Sequence, residues 1–180
     1  KTDARIRYTQ GVLKQALLSF LKEKPINKIT VKEVCERAEL NRATFYAHYS
    51  DCFALLESIE EDLLEAFQQS LKLVDSFDVT ALIEAIYTMI EQQQEACRVL
   101  IFQNVCPNVL RRMISLARDE SISYWKRRLH RVTEAELEML YTHLSNGLMH
   151  VVVEGYEKYS REEVVRFVNR IVQCSLSQFQ

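Results

Sequence analysis

The chain has 180 residues, of which 48% are hydrophobic and 27% charged, and its formal net charge is −2. It contains only 3 glycines and 2 prolines, and its β-branched residues recur at helical rather than alternating spacing, which argues against a β-sheet protein and favours an all-α chain. No apolar run approaches the roughly 18–20 residues that a transmembrane helix needs, so no membrane partner is expected.

The small net charge conceals an asymmetry along the chain. Residues 1–50 contain 10 Lys/Arg and 5 Asp/Glu, which gives +5, whereas residues 51–180 contain 13 and 20, which gives −7. A basic segment suits contact with nucleic-acid phosphates, because each neutralised phosphate releases counterions. We therefore expect two functional parts, residues 1–50 and residues 51–180.

The first predicted element is a helix over residues 3–23. Ile6, Leu13, Leu17 and Leu21 repeat on one face, which predicts a single buried stripe. Pro25 ends this helix because proline cannot continue the hydrogen-bond ladder.

Two short helices follow almost end to end. Thr30 and Glu33 form a capping-box pattern and predict a helix from about Thr30 to Ala38. Asn41 is a strong N-cap for the second helix. On that helix Phe45 and Tyr49 share one face and should point inward.

The other side of the second helix is polar and predicted to face solvent. It carries Arg42, Thr44, Tyr46 and His48. Two short helices with such a free polar side are typical of a helix-turn-helix that enters the DNA major groove. An ordinary helical hairpin with one exposed polar side is the alternative.

Residues 5–60 resemble the DNA-binding domain of TetR-family transcriptional regulators. The run Thr44-Phe45-Tyr46-Ala47-His48-Tyr49 matches the end of that family's recognition helix, and Leu55 and Leu56 match a leucine pair in the next helix. The resemblance implies an N-terminal three-helix DNA-binding domain followed by a larger helical ligand-binding and dimerisation domain, about nine helices in all.

The resemblance also implies roles for individual residues. Thr30 would touch a phosphate, and Tyr46 and His48 would donate to the DNA backbone. The expected DNA-binding set is Thr30, Asn41, Arg42, Ala43, Thr44, Tyr46 and His48, with Asn41 as the cap and residues 42–44 near base edges or phosphates.

The chain departs from the family pattern at two positions. Glu39 occupies a turn position where glycine is common, and a positive φ there would cost on the order of 1 kcal/mol relative to glycine. Cys52 stands where the family often has a lysine, so one phosphate contact is expected to be missing.

The remaining helices are predicted from apolar spacing and caps. A fourth helix covers about 52–73, Asp78 caps a fifth that extends to about Ala96, and a short piece lies near 98–104. Pro107 fits the first turn of a helix to about His130. Two further capping boxes, Thr133 with Glu136 and Ser160 with Glu163, begin helices to about Tyr159 and to near the C-terminus.

The last two helices carry apolar stripes that we interpret as a homodimer interface. Gly147 and Gly155 are spaced to allow close backbone approach. The alternative is that the stripes close the subunit's own core. The stripe residues are Leu137, Leu140, Leu144, Leu148, Val151, Val165, Val168, Val172 and Leu176.

Aromatic and sulfur-containing side chains between residues 78 and 159 are candidates for an effector pocket. Core packing is the alternative for each of them. The spacing of the histidines supports no metal site, and no cofactor is expected. The run Lys126, Arg127, Arg128 and Arg131 is interpreted as a solvated face near a helix end, with contact to an anionic ligand or a protein partner as the alternative. The candidate ligand-binding residues are Tyr87, Phe102, Met113, Tyr124, Trp125 and His143.

Five cysteines without CxxC spacing favour mostly buried thiols in a reducing cytoplasm, with redox sensing by Cys97 or Cys106 as a minor alternative. No phosphate loop, metal cluster or nucleophile motif indicates an enzyme. The sequence predicts a dimeric regulator, with repression favoured, that binds a palindromic operator on double-stranded DNA and answers to a small-molecule or protein effector. A helical protein-interaction module without strong DNA reading is the alternative.

Overall fold

The computed structural model describes residues 2–72 and 79–179, which form helices joined by turns. The prediction of an all-α chain is therefore confirmed. A π-helical segment covers Cys97–Phe102, and short 3-10 turns cover Ile26–Lys28 and Ser177–Phe179. The α-helices in this part of the chain are α1 (Thr2–Leu21), α2 (Val31–Arg37), α3 (Arg42–Tyr46), α4 (Cys52–Lys72), α5 (Val79–Gln92), α6 (Gln94–Ala96), α7 (Asn108–Lys126), α8 (Glu134–Gly155) and α9 (Arg161–Leu176).

All three predicted capping boxes are present. In each, the side-chain oxygen of the cap accepts from the backbone N–H of a glutamate three residues later, and the glutamate accepts from the cap's N–H. These contacts place the starts of α2, α8 and α9 at the predicted residues. Asp78, the predicted cap of α5, lies outside the described residues.

The described residues divide into two compact units, and the division passes through α4. The first unit contains residues 1–63 together with 94–106. Its core is formed by fully buried side chains of α1, α2, α3 and α4, among them Leu13, Val34, Phe45 and Leu55. The segment 94–106 adds Val99 and Leu100, which are also fully buried.

Polar contacts also connect helices within the first unit. Lys14 of α1 pairs with Asp62 of α4 at 2.5 Å and donates to the carbonyl of Ser58 at 3.3 Å. Lys22, in the turn directly after α1, pairs with Glu95 of α6. The segment 94–106 is thus tied to the C-terminal end of α1 by charge as well as by burial.

The second unit contains residues 64–93 and 107–180. In it α7 packs against α8, and α9 packs against both α5 and α8. Arg161, at the start of α9, pairs with Glu84 and Glu91 of α5 and lies 4.9 Å from the ring centre of Tyr87. The predicted domain boundary at residue 50 stays a prediction.

Helix α5 ends at Gln92 rather than near Ala96, and two later helices are also shorter than predicted. Helix α7 ends at Lys126 rather than His130, and the amides of His130 and Arg131 instead donate to the carbonyl of Phe179. Helix α8 ends at Gly155, and the amide of Tyr159 closes a turn on the Gly155 carbonyl at 2.9 Å. Tertiary and turn hydrogen bonds therefore override apolar spacing at both ends.

Candidate DNA-binding helix and effector cavity

A tight turn joins α2 to α3. The amide of Leu40 donates to the carbonyl of Cys35 at 2.9 Å, and the amide of Glu39 donates to the carbonyl of Glu36 at 3.3 Å. This pair of bonds is the Schellman arrangement, which requires a left-handed residue just past the helix end. Glu39 is that residue, with φ 54°. The positive φ that the sequence analysis considered at this turn is therefore confirmed for Glu39.

Helix α3 is fixed by its cap and by its inner face. The side chain of Asn41 accepts the amide of Thr44 at 2.7 Å. Phe45 is 0% exposed and Tyr49 8% exposed, so these two rings anchor the segment in the first unit. A helix of only five residues owes its position to such tertiary contacts rather than to intrinsic helical stability.

The outer side of α3 presents the predicted DNA-binding residues. Arg42 and Ala43 are exposed, and Tyr46 is 57% exposed. Thr44 and His48 are half-buried, and the Thr44 hydroxyl already donates to Asn41 Oδ1 at 3.0 Å. Asn41 therefore acts as a structural cap in the free protein. The assignment of DNA contacts to these residues stays a prediction.

Thr30 lies in a charged cluster at the start of α2. Its hydroxyl donates to a carboxylate oxygen of Glu33 at 2.7 Å, and Lys24 Nζ lies 2.6 Å from the other oxygen. The hydrogen bonds from Lys24 and Thr30 hold the pKa of Glu33 down to about 2. The exposed Thr30 is thus flanked by an ionised carboxylate whose charge Lys24 offsets.

Cys52 begins α4 and is 5% exposed. Burial raises the pKa of its thiol to about 11. The position therefore offers neither a cation nor an exposed donor. The contact that a lysine would make here has no replacement from Cys52.

The second unit contains a small apolar cavity of about 50 Å³ between α5, α7 and α8, with Phe67 and Val172 also lining it. Met113 and Trp125 form part of its wall. Its polar groups differ in their pairing. The hydroxyl of Tyr141 donates to the carbonyl of Ile114 at 2.5 Å, and that of Ser121 donates to Ala117 at 2.7 Å.

Ser145 is the exception among the cavity's hydroxyl groups. Its buried Oγ has no hydrogen-bond partner in the structure. An unpaired buried hydroxyl costs on the order of 1–3 kcal/mol, so Ser145 lowers the stability of the protein when the cavity is empty. Sequence reasoning missed Ser145 because a single serine in a helix carries no such signal.

The other predicted ligand-binding residues lie elsewhere. Tyr124 lines a neighbouring groove that also includes Trp125. Tyr87 is buried against Tyr156 and Arg161, and its hydroxyl is unpaired. Phe102 belongs to the first unit, and His143 is exposed on α8. Only Met113 and Trp125 of the six line the cavity, and their ligand role stays a prediction.

The predicted dimer residues also separate into two groups. Half-buried Leu140, Leu148, Val151 and Val165 lie near the surface of α8 and α9. The other five pack inside their own unit, as the alternative interpretation expected, because the same helical stripe faces the subunit core. These five are Leu137, Leu144, Val168, Val172 and Leu176.

The glycines of α8 differ in the same way. A side chain at Gly155 would lie 3.3 Å from Val164 and Tyr159, so the close approach occurs within the chain. A side chain added at Gly147 would meet no atom of another residue within 4 Å, apart from its chain neighbours and the backbone of its own helix. Large apolar side chains are exposed on both helices: Met139 of α8, and Phe167 and Ile171 of α9.

Within residues 2–72 and 79–179, no helix has the length and apolar character to cross a membrane. No protein-family model matches the chain.

A curated relative and two solved structures are similar to this chain. An uncharacterized HTH-type transcriptional regulator, YxbF of Bacillus subtilis strain 168, is 39% identical over 62 residues, which are 34% of this chain and only 16% of the relative. A TetR transcriptional regulator from Streptococcus agalactiae 2603V superposes with a TM-score of 0.68 at 22% identity, covering 95% of this chain and 97% of its own.

The dihydroxyacetone kinase operon activator DhaS superposes with a TM-score of 0.66 at 14% identity, covering 96% of this chain and 98% of its own. At these identities the two structures establish the fold. They confirm the predicted TetR-type fold, and the structural likeness covers nearly the whole chain.

Proposed function

Because this chain has the fold of TetR-type transcriptional regulators, we propose that it binds double-stranded DNA as a homodimer at a palindromic operator. Helix α3 is the element that enters the major groove. An effector acts on the second unit and shifts the population of the DNA-competent dimer.

The observation that carries this proposal is the two-sided character of α3. On its inner side Phe45 is fully buried, whereas on its outer side Arg42, Ala43 and Tyr46 are exposed. Arg42 has no ionic partner among the described residues, so its guanidinium is available to a phosphate or a guanine edge. Tyr46 offers its hydroxyl to a DNA backbone oxygen.

The exposed apolar side chains of α8 and α9 support the dimer. Met139 is 62% exposed, Phe167 45% and Ile171 44%, and Phe167 and Ile171, four residues apart on α9, share one face of that helix. A two-fold pairing through this face would present two copies of α3 to one operator. Replacing Phe167 and Ile171 together by glutamate should yield monomers in light scattering, whereas Leu116→Glu, at a similarly exposed position of α7, should not.

Repression is the simpler outcome, since a bound dimer need only occlude a promoter. The fold alone does not determine whether the protein represses or activates transcription, because one of the similar structures is named an operon activator. Transcription by purified polymerase from a template that contains the operator, with and without the protein, distinguishes them: a repressor lowers the amount of transcript and an activator raises it.

A helical protein-interaction module is the second candidate. The buried thiol of Cys52 at the start of α4 favours it, because that position supplies no cation for a phosphate. Selection of bound fragments from a random duplex pool at low salt decides between the candidates. An enriched palindrome supports the regulator, and a pool without enrichment supports the module.

Site-directed variants then test the reading helix. Replacing Tyr46 and His48 together by alanine should weaken binding on the order of tenfold for every duplex, because phosphate contacts carry no sequence information. Tyr159→Ala, at an exposed tyrosine of the second unit, is the matched control. Unchanged affinity of a folded double variant would remove α3 from the proposal.

A further inference from the structure

A surface groove of about 400 Å³ adjoins the cavity in the second unit. It lies between the start of α5, the end of α7 and one face of α9. Val79, Trp125 and Val172 line both the cavity and the groove. These three side chains therefore form a wall that the cavity and the groove share.

The two volumes point to a ligand that occupies both spaces. The cavity of about 50 Å³ is far below the roughly 300–1,000 Å³ of ordinary ligand pockets, whereas the groove falls within that range. The cavity walls are apolar apart from their few hydroxyl groups. A molecule whose main body lies in the groove can thus place an apolar end into the cavity when the Trp125 ring shifts.

The charged group of the groove indicates the chemistry of the ligand's polar end. Arg128 is its single charged residue, and no carboxylate lines it, among the residues that the structure describes. The guanidinium stacks 3.9 Å from the ring centre of Tyr124, which fixes its plane and leaves its N–H edge for an acceptor. Thr80 and Asn169, joined by a hydrogen bond of 2.7 Å, add neutral polar groups.

We propose that the effector site takes a small amphipathic monoanion, a carboxylate with an alkyl or aryl body. The carboxylate binds the Arg128 guanidinium, and the body covers Trp125 and extends towards the cavity. This inference rests on the proposed function only in calling the ligand an effector, since the binding site itself is independent of DNA. A cation finds no partner among the described groove residues.

Trp125 makes the binding step directly measurable. It is the chain's single tryptophan, so its fluorescence reports contact at the shared wall without interference. We would titrate the full chain with octanoate and 4-phenylbutyrate, and with octan-1-ol and octylammonium as neutral and cationic counterparts. Saturable change with the two carboxylates and at least tenfold weaker binding of the counterparts is the expected result.

A pair of arginine variants locates the anion. Arg128→Ala should weaken octanoate binding about tenfold, because a charge-assisted contact is lost. Arg127→Ala is the matched control, since Arg127 is also exposed, at the adjacent position, but does not line the groove. Calorimetry with the same ligands gives a second readout that does not depend on tryptophan.

The outcomes separate this inference from the proposed function. Absence of saturable binding, equal binding of octanol or octylammonium, or an unchanged Arg128→Ala variant overturns the carboxylate site and leaves DNA selection untouched. Carboxylate binding without any enriched duplex upholds the site and overturns the DNA-binding function. Release of a selected duplex by octanoate would support both.

Discussion

The amide of Leu40 donates to the carbonyl of Cys35 across the turn between α2 and α3, and this bond obliges Glu39 to adopt φ 54°. A side chain with a Cβ is strained in that region, whereas glycine is not. The turn that positions the candidate reading helix is therefore made by an unfavourable residue.

Glu39→Gly should raise the free energy of unfolding by about 1 kcal/mol, because the strain disappears while both turn hydrogen bonds remain. Urea denaturation measures the gain. Asn104→Gly is the control, since Asn104 has the same φ of 54° but asparagine tolerates it better, so its gain should be smaller. A loss of stability at Glu39 would contradict this account of the turn.

Tyr46→Phe should weaken DNA binding, because it removes the exposed hydroxyl and leaves the ring in place. Tyr49→Phe makes the same chemical change three residues away, where the hydroxyl is buried and unpaired. That variant should bind DNA as the parent does and be no less stable. Fluorescence anisotropy with a selected duplex measures both, and equal weakening by the two changes would argue against direct contact by Tyr46.

The Glu33 carboxylate should make the first unit sensitive to acid. Its pKa falls from an ordinary value of 4.5 to about 2 in the folded chain, so its contribution to stability is complete above pH 4.5 and is lost as the pH falls towards 2. Glu33→Gln should be less stable than the parent at pH 7, and the difference should vanish near pH 2. Glu36→Gln, on the same helix, is the control; a difference independent of pH would refute the electrostatic origin.

Ser145→Ala should stabilise the protein by on the order of 1 kcal/mol, because it removes a buried hydroxyl that has no partner. Ser121→Ala changes the same atom in the same cavity, but there the hydroxyl donates to Ala117 at 2.7 Å. That variant should gain nothing. Thermal unfolding of the two variants without added ligand makes the comparison, and an equal response would mean that Ser145 is paired in solution.

Thiol labelling should identify Cys174 as the single fast-reacting cysteine. It is exposed, whereas Cys97 and Cys106 are buried, and burial raises the pKa of each of those thiols to about 12. A thiol held in its protonated form is a poor nucleophile. More than one rapid equivalent with Ellman's reagent at pH 8 would revive redox sensing by Cys97 or Cys106.

Local chemistry could be predicted from the sequence because its partners are close in the chain. The capping boxes at Thr30, Thr133 and Ser160 and the turn at Glu39 each involve residues within a few positions of one another. The inward side of α3 followed from the i, i+4 spacing of Phe45 and Tyr49 in the same way.

Features that depend on distant packing could not be predicted. On α9, Val168 and Phe167 are adjacent apolar residues, and only the fold reveals that the first is 3% and the second 45% exposed. Helical spacing identifies an apolar stripe but not whether it faces the core or a partner. The cavity wall at Trp125 and the unpaired Ser145 arise where separate helices meet.

The inclusion of residues 94–106 in the first unit has a practical consequence for anyone isolating the DNA-reading part. A fragment that stops at Leu63 would lack Val99 and Leu100, which are fully buried in the whole chain, and would leave Lys22 without Glu95. The apolar surface that segment 94–106 covers in the first unit would then be exposed to water, which favours aggregation. A stable DNA-binding fragment therefore has to include two separate stretches of the chain, residues 1–63 and 94–106.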